Sequence, residues 1–211
     1  MAKTSSPAPD PAVHARIIKT AYDHLFTYGY KALTLDDLAR ELGVSKKTLY
    51  VHFRSKDELI EAVLDGFASE IRDLSDQLLI KNEQSFSTKF RGLVEALIKR
   101  FSKMNPVMLR DLQRFAPQIY AKIDDLRRKN IPYVFGRAIR DGQELGAVRS
   151  DIDPALAIEF WRIAISGLLQ PDSLEHLGLP PEQVFEKAIN LFFAGLLTPA
   201  GRKDYEKRNV S

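Results

Sequence analysis

The sequence contains no cysteine, which excludes disulfides and thiolate metal sites and fits a reducing cytosol. It also lacks an apolar run long enough to cross a bilayer. Ile163–Leu169 and Leu191–Leu197 are the longest, far short of the ~20 residues that a spanning helix needs. There is no Gly-rich phosphate loop and no Gly-x-Ser-x-Gly nucleophile turn. The four histidines, His14, His24, His52 and His176, are scattered with no His-x-x-x-His pair, so a histidine metal site is not expected. An enzyme is not expected, nor a cofactor. Residues 1–11 lack the apolar stretch of a signal peptide and read as a disordered lead-in. Together these absences predict a cytoplasmic protein with no membrane partner.

What is present is helix. A hydrophobic fraction of 45% over 211 residues suffices to bury a core and suits one large domain or two small ones. Ile17, Ala21 and Leu25 recur at helical spacing, and Gly29 reads as a left-handed cap ending that helix. Thr34 can cap a second helix, Gly43 supplies a tight turn, and Ser45 caps a third short helix to about Phe53. Ser55 and Glu58 form a capping box that opens a fourth helix, to about Ile80. Beyond residue 82 the helices lengthen: 85–104, a short one from Pro106 to Phe115, and 117–145, bent at Pro132. Two more are opened by Asp153-Pro154 and Pro180-Pro181, with a stop at Pro199. No strand is expected. The fold class is all-α, with a lead-in (1–11), a helix-turn-helix head (12–57), a helical body (58–199) and a polar tail (200–211).

The net charge of +3 and the pI near 9.0 are only weakly basic, but the charge is unevenly placed. Between Ser45 and Lys56 the charged residues are Lys46, Lys47, Arg54 and Lys56, with no acid among them. At about 100° per residue, Leu49 and Phe53 share one side of the third helix and can pack on Leu38, Leu42 and Val44. Lys47, Thr48 and Val51 fall opposite, flanked by Lys46, Tyr50 and His52. Such a helix can enter the DNA major groove, where lysines reach phosphates or guanine edges and hydroxyls bond either. Lys56 would offer a charge beside free amides at a helix start. The plainer alternative is a three-helix fragment with a solvated basic face.

The same residues resemble the signature of TetR-type transcriptional regulators. Thr34, Leu38-Ala39, Gly43-Val44-Ser45, Thr48-Leu49-Tyr50, His52-Phe53 and Ser55-Lys56, followed by Leu59, carry the likeness. It covers the N-terminal quarter of the chain. The resemblance implies a homodimer whose heads enter successive major grooves of a palindromic double-stranded operator, with Thr34, Ser45, Lys46, Lys47, Thr48, Tyr50, His52 and Lys56 as DNA contacts. It further implies a repressor, released by a small-molecule effector held in the body. The alternative is a protein-interaction module of the same fold that binds DNA without such an effector.

In the body, two helices are apolar around much of their circumference, which suggests burial against a second copy. Phe160, Ile163, Leu168, Phe185, Ile189, Phe192 and Phe193 are the candidate interface, the alternative being a monomeric core. Phe67, Phe90, Phe101, Met104, Met108, Phe115, Tyr120 and Tyr133 are candidate pocket-lining residues, although each could equally be core packing.

Overall fold

The computed structural model describes residues 10–79 and 85–206. Among them are eleven helices: α1 (Pro11–Tyr28), α2 (Leu35–Leu42), α3 (Lys46–His52), α4 (Lys56–Leu79), α5 (Phe86–Phe101), α6 (Pro106–Phe115), α7 (Pro117–Glu144), α8 (Pro154–Leu168), α9 (Pro171–Leu177), α10 (Pro181–Leu196) and α11 (Pro199–Glu206). One isolated antiparallel bridge, Val148 to Leu197, is the extended pairing among them. The protein is all-α, as expected. The lead-in falls outside the described residues at 1–9. Its last two positions do not: Asp10 accepts the Ala12 amide at 2.8 Å, and Pro11, with φ already fixed, opens α1.

The chain divides into two compact units. The first, the head, runs to Phe67 and adds Asn105–Ile123; the second, the body, holds Ala68–Met104 and the chain from Asp124 onward. The head therefore reaches beyond the 12–57 span expected, because it takes in α6 and the start of α7. Polar contacts explain why. The last carbonyls of a helix have no partner within it. At the end of α1 they find Asn105, whose backbone N–H donates to the Phe26 carbonyl at 3.1 Å and whose amide donates to that of Thr27 at 2.7 Å. The same side chain accepts the Val107 amide at 2.9 Å and so caps α6.

Gly29 ends α1, but not in the left-handed helical conformation expected. Its φ of 87° and ψ of 175° lie in a region open essentially to glycine alone. α6 fills the space: a Cβ there would stand 2.9 Å from the Asp111 carboxylate and 3.2 Å from Val107. Gly43, with φ 66° and ψ 29°, is the left-handed residue anticipated.

The body is packed around rings. Trp161 is 1% exposed and stacks on Phe192 at 5.1 Å, while Phe90 meets Phe193 edge-on at 4.1 Å and Phe101 stacks on Phe185 at 4.2 Å. α9 and α11 are additions to the expected set. α9 has 7 residues, too few to show a period, and lies between Pro171 and a left-handed Gly178. At α11, Pro199 starts a helix rather than ending one. The Thr198 hydroxyl accepts the Gly201 amide at 3.0 Å and donates to the Gly146 carbonyl at 2.9 Å. So the tail expected from 200 onward is helical to Glu206, and 207–211 lie outside the described residues.

Candidate nucleic-acid interface

Three hydroxyls set the geometry of α2, α3 and α4. Thr34 accepts the Asp37 amide at 3.1 Å and donates to the Asp37 carboxylate at 2.5 Å. That bond, with Arg40 beside it, holds the Asp37 carboxyl below its usual range. Ser45 accepts the Thr48 amide at 3.0 Å and shares a hydrogen bond with the Thr48 hydroxyl at 2.8 Å. Ser55 accepts the Glu58 amide at 3.1 Å. The Glu58 carboxylate returns to the Arg54 amide at 2.6 Å, one residue before the position a capping box uses.

These caps orient α3. Leu49 is fully buried and Phe53 nearly so, against a buried Leu38; Leu42 and Val44 are half-buried. Lys46, Lys47 and Tyr50 are left exposed, Tyr50 at 52%. Thr48, Val51 and His52 are half-buried. Amphipathic burial thus leaves an outward strip of one aromatic and two lysines.

The lysines differ. Lys46 is paired with Asp36 of α2 at 2.5 Å, a contact across two helices that sequence spacing does not reveal. Lys47 has no such partner among the described residues. Lys56 lies 3.9 Å over the Tyr30 ring, and burial lowers its pKa. The Tyr30 hydroxyl is pushed up to about 12 by burial and by the bond it donates to Asp57 at 2.7 Å. Gln118 donates to the other oxygen of Asp57 at 3.0 Å. His52 faces inward: its ring is 5.7 Å from that of His14, which stacks on Phe53 at 4.7 Å, and its Nδ1 is buried without a hydrogen-bond partner among the described residues. Of the eight candidate contacts, then, Lys47 and Tyr50 project with their polar ends uncommitted, while Thr34, Ser45 and Thr48 also serve as caps or cap partners.

Residues 17–63 match the family model described as bacterial regulatory proteins, tetR family. The chain is a TetR-family helix-turn-helix transcriptional regulator. YvaF of Bacillus subtilis (strain 168), an HTH-type transcriptional regulator, is 24% identical over 166 residues, which span 78% of this chain and 86% of YvaF. IcaR of Staphylococcus aureus (strain Newman), the negative transcriptional regulator of the biofilm operon icaADBC, is 26% identical over 116 residues, 54% of this chain and 62% of IcaR. The regulatory protein TetR from Rhodobacter sphaeroides shares the fold with a TM-score of 0.65 at 18% identity, covering 87% of this chain and 98% of its own. This TetR-family regulator is not an enzyme, and DNA binding follows from its helix-turn-helix head. No described helix is long and apolar enough to cross a membrane, and no described group of three His, Cys, Asp or Glu could hold a metal ion.

The body residues of the regulator distribute differently from the sequence-based expectation. Of the eight pocket candidates, Phe67, Met108, Phe115 and Tyr120 belong to the head and Phe90, Phe101, Met104 and Tyr133 to the body. Phe90 and Met108 are each 1% exposed, whereas Phe115 and Tyr133 are 45% and 47% exposed. Phe67 adjoins the Tyr22 and Phe26 rings, at 6.2 Å and 5.3 Å. Of the seven interface candidates, Phe185, Ile189, Phe192 and Phe193 are buried within the protomer, because α10 turns that face to its own core. Phe160 and Ile163 remain exposed, with Leu156 and Leu191; Leu168 is half-buried. An apolar groove of ≈ 460 Å³ runs along this face of α8 and α10, bounded by Leu156, Phe160, Leu168, Leu191, Phe192 and Leu196. None of the eight pocket candidates lines it.

Proposed function

We propose that the regulator is a homodimeric repressor that reads a palindromic operator with α3 and is released from it by a small-molecule effector. The observation carrying the operator reading is the α3 strip: a helix fixed by its caps, buried through Leu49 and Phe53, and offering Lys47 and Tyr50 outward. Lys46, Thr48, Thr34, Ser45, His52 and Lys56 surround that strip as further contacts, chiefly to phosphate. A regulator of this kind works where the bacterial chromosome is, in the cytoplasm. The similarity to IcaR, a negative regulator, favours repression over activation.

The dimer reading rests on Leu156, Phe160, Ile163 and Leu191, exposed at 67%, 61%, 58% and 78% on neighbouring turns of α8 and α10. A contiguous apolar face of this kind on a water-soluble surface marks an interaction site, and a second copy joined through it would form a four-helix seam. The effector reading draws on the family resemblance; the apolar α8–α10 groove is lined by the seam residues Leu156, Phe160 and Leu191 and belongs to the dimer reading. The burial of Phe90 at 1% exposure and the stacking of half-buried Phe101 on Phe185 favour a second reading, in which the body carries no small-molecule site and its signal comes from a protein partner.

The test is selection of duplexes from a random pool by the full-length protein, followed by mobility shift of the enriched sequence. Enrichment of an inverted repeat, with binding that weakens steeply as salt rises and is abolished by Lys47→Ala with Tyr50→Ala, is the expected result. Equal binding by that double variant moves the reading element elsewhere. A Leu191→Glu variant that sediments as a monomer while keeping its helical content supports the seam. Release of the enriched duplex by an apolar metabolite extract, but not by its protein fraction, separates the effector reading from the second.

A further inference from the structure

Outside α3, the head carries another exposed cationic feature. Lys31, in the turn after α1, and Arg114, near the end of α6, both lie over the ring of Phe115, at 5.5 Å and 5.3 Å from its centroid. All three side chains are exposed. Neither cation has an ion-pair partner among the described residues. Phe115, 45% exposed, presents its ring to two cations.

We propose that Lys31 and Arg114, held in place by Phe115, form a second phosphate-contacting ridge that extends the DNA footprint beyond the recognition helix. The proposal rests on the operator reading above and adds to it a contact outside the helix-turn-helix. Continuity supports DNA as the partner. Lys31 follows Tyr30, whose ring carries Lys56 at 3.9 Å and whose hydroxyl bonds Asp57 at 2.7 Å. Gln118, at the start of α7 and four residues after Arg114, bonds the same carboxylate at 3.0 Å. The residues flanking the ridge, Tyr30 and Gln118, therefore contact the start of α4, immediately after α3, where the operator reading puts the duplex backbone.

The chemistry fits phosphate. A cation resting on an aromatic face is partly oriented and still presents donors outward, so less freedom is lost when a phosphate arrives. The acids nearby are already engaged: Asp57 by Tyr30 and Gln118, and Asp111 by the Lys31 backbone amide at 2.9 Å. Contacts of this type add affinity and salt dependence without adding base preference.

The experiment uses the full-length protein and the duplex that the wild type enriches from a random pool, with affinity followed by fluorescence anisotropy across a salt series. For Lys31→Ala with Arg114→Ala, the slope of log K against log salt should flatten by about 1.8 per head, the release expected for two lost phosphate contacts. Affinity at physiological salt should fall on the order of tenfold, with the ranking of mutated duplexes unchanged. Arg114→Lys should retain most of the slope, and Phe115→Leu should give an intermediate loss. Should the double variant melt early, Lys31→Gln alone, at an exposed side chain, should show half the flattening. An unchanged slope in a folded variant overturns the ridge and leaves the operator reading standing. Failure of the wild type to enrich any duplex overturns the operator reading and the ridge with it.

Discussion

The head and the α8–α10 region of the body solve opposite problems. The head fixes its helix starts with single oxygens: Thr34, Ser45, Ser55 and Asn105 each satisfy an amide two or three residues ahead. The body fixes long helices with rings, as in the Phe90–Phe193 and Trp161–Phe192 pairs. Capping joins residues close in sequence and places a helix end to within a residue. Ring packing joins residues far apart, and it divides each helix between inside and outside in a way no local pattern dictates. The head is thereby made exact in orientation, and the body is made stable but ambiguous in what it offers outward.

Substitutions can break or sharpen this contrast. The largest effect is expected in the body: Phe193→Ala removes a ring touching Phe90, Phe135 and Phe192 and should destabilise it by about 3–5 kcal/mol, measured by chemical denaturation. A loss under about 1 kcal/mol would mean that the rings are not what holds the body. In the head, Ser45→Ala should destabilise by about 1 kcal/mol and raise amide exchange in α3 alone, with Ser45→Asp restoring most of it; uniform acceleration across the body would erase the distinction.

A pH series probes the head's polar joints more gently. The Tyr30 hydroxyl is pushed up to about 12, so its proton is favoured in the folded state. The corresponding stability is whole below the ordinary tyrosine pKa of about 10 and is lost as pH rises towards 12. Lys56, displaced downward by burial, acts in the opposite sense, so the comparison is with Tyr30→Phe. Wild-type melting temperature should fall more steeply than the variant's above about pH 10; parallel curves would show that the Asp57 bond is not retained in solution. The smallest effect is at the surface. Asp36→Asn should change stability by less than about 1 kcal/mol, since both partners are more than half exposed. By freeing Lys46 it should also tighten duplex binding a few-fold, read by anisotropy; weaker binding would place Lys46 away from the DNA.

The same contrast governs what could be read from residues alone. The starts of α2, α3 and α4 and the end of α2 fall where Thr34, Ser45, Ser55 and Gly43 predict, because the partners lie within a few positions. Gly29 was recognisable as a terminus, but its conformation is imposed by Asp111 and Val107 on α6, far along the chain. The pairing of Lys46 with Asp36 and the inward turn of His52 have no local signature either. In the body, Phe160 and Trp161 are neighbours of the same character, yet one is 61% exposed and the other 1%. Residue type announces that such a side chain will be covered, not whether its own chain or another body covers it. For that reason the interface candidates divide, with Phe185, Ile189, Phe192 and Phe193 inside and Phe160 and Ile163 outside.

The mutual bond between Ser45 and Thr48 has an evolutionary consequence. Because α3 is secured by residues that bond to each other at 2.8 Å, and by Leu49 and Phe53 beneath, positions 47 and 50 carry almost none of the helix's stability. On the operator reading proposed above, replacing Lys47 or Tyr50 changes what the helix recognises while leaving its folding intact. Lineages sharing this head can therefore drift to new target sites by single substitutions, without first acquiring a compensating stabiliser.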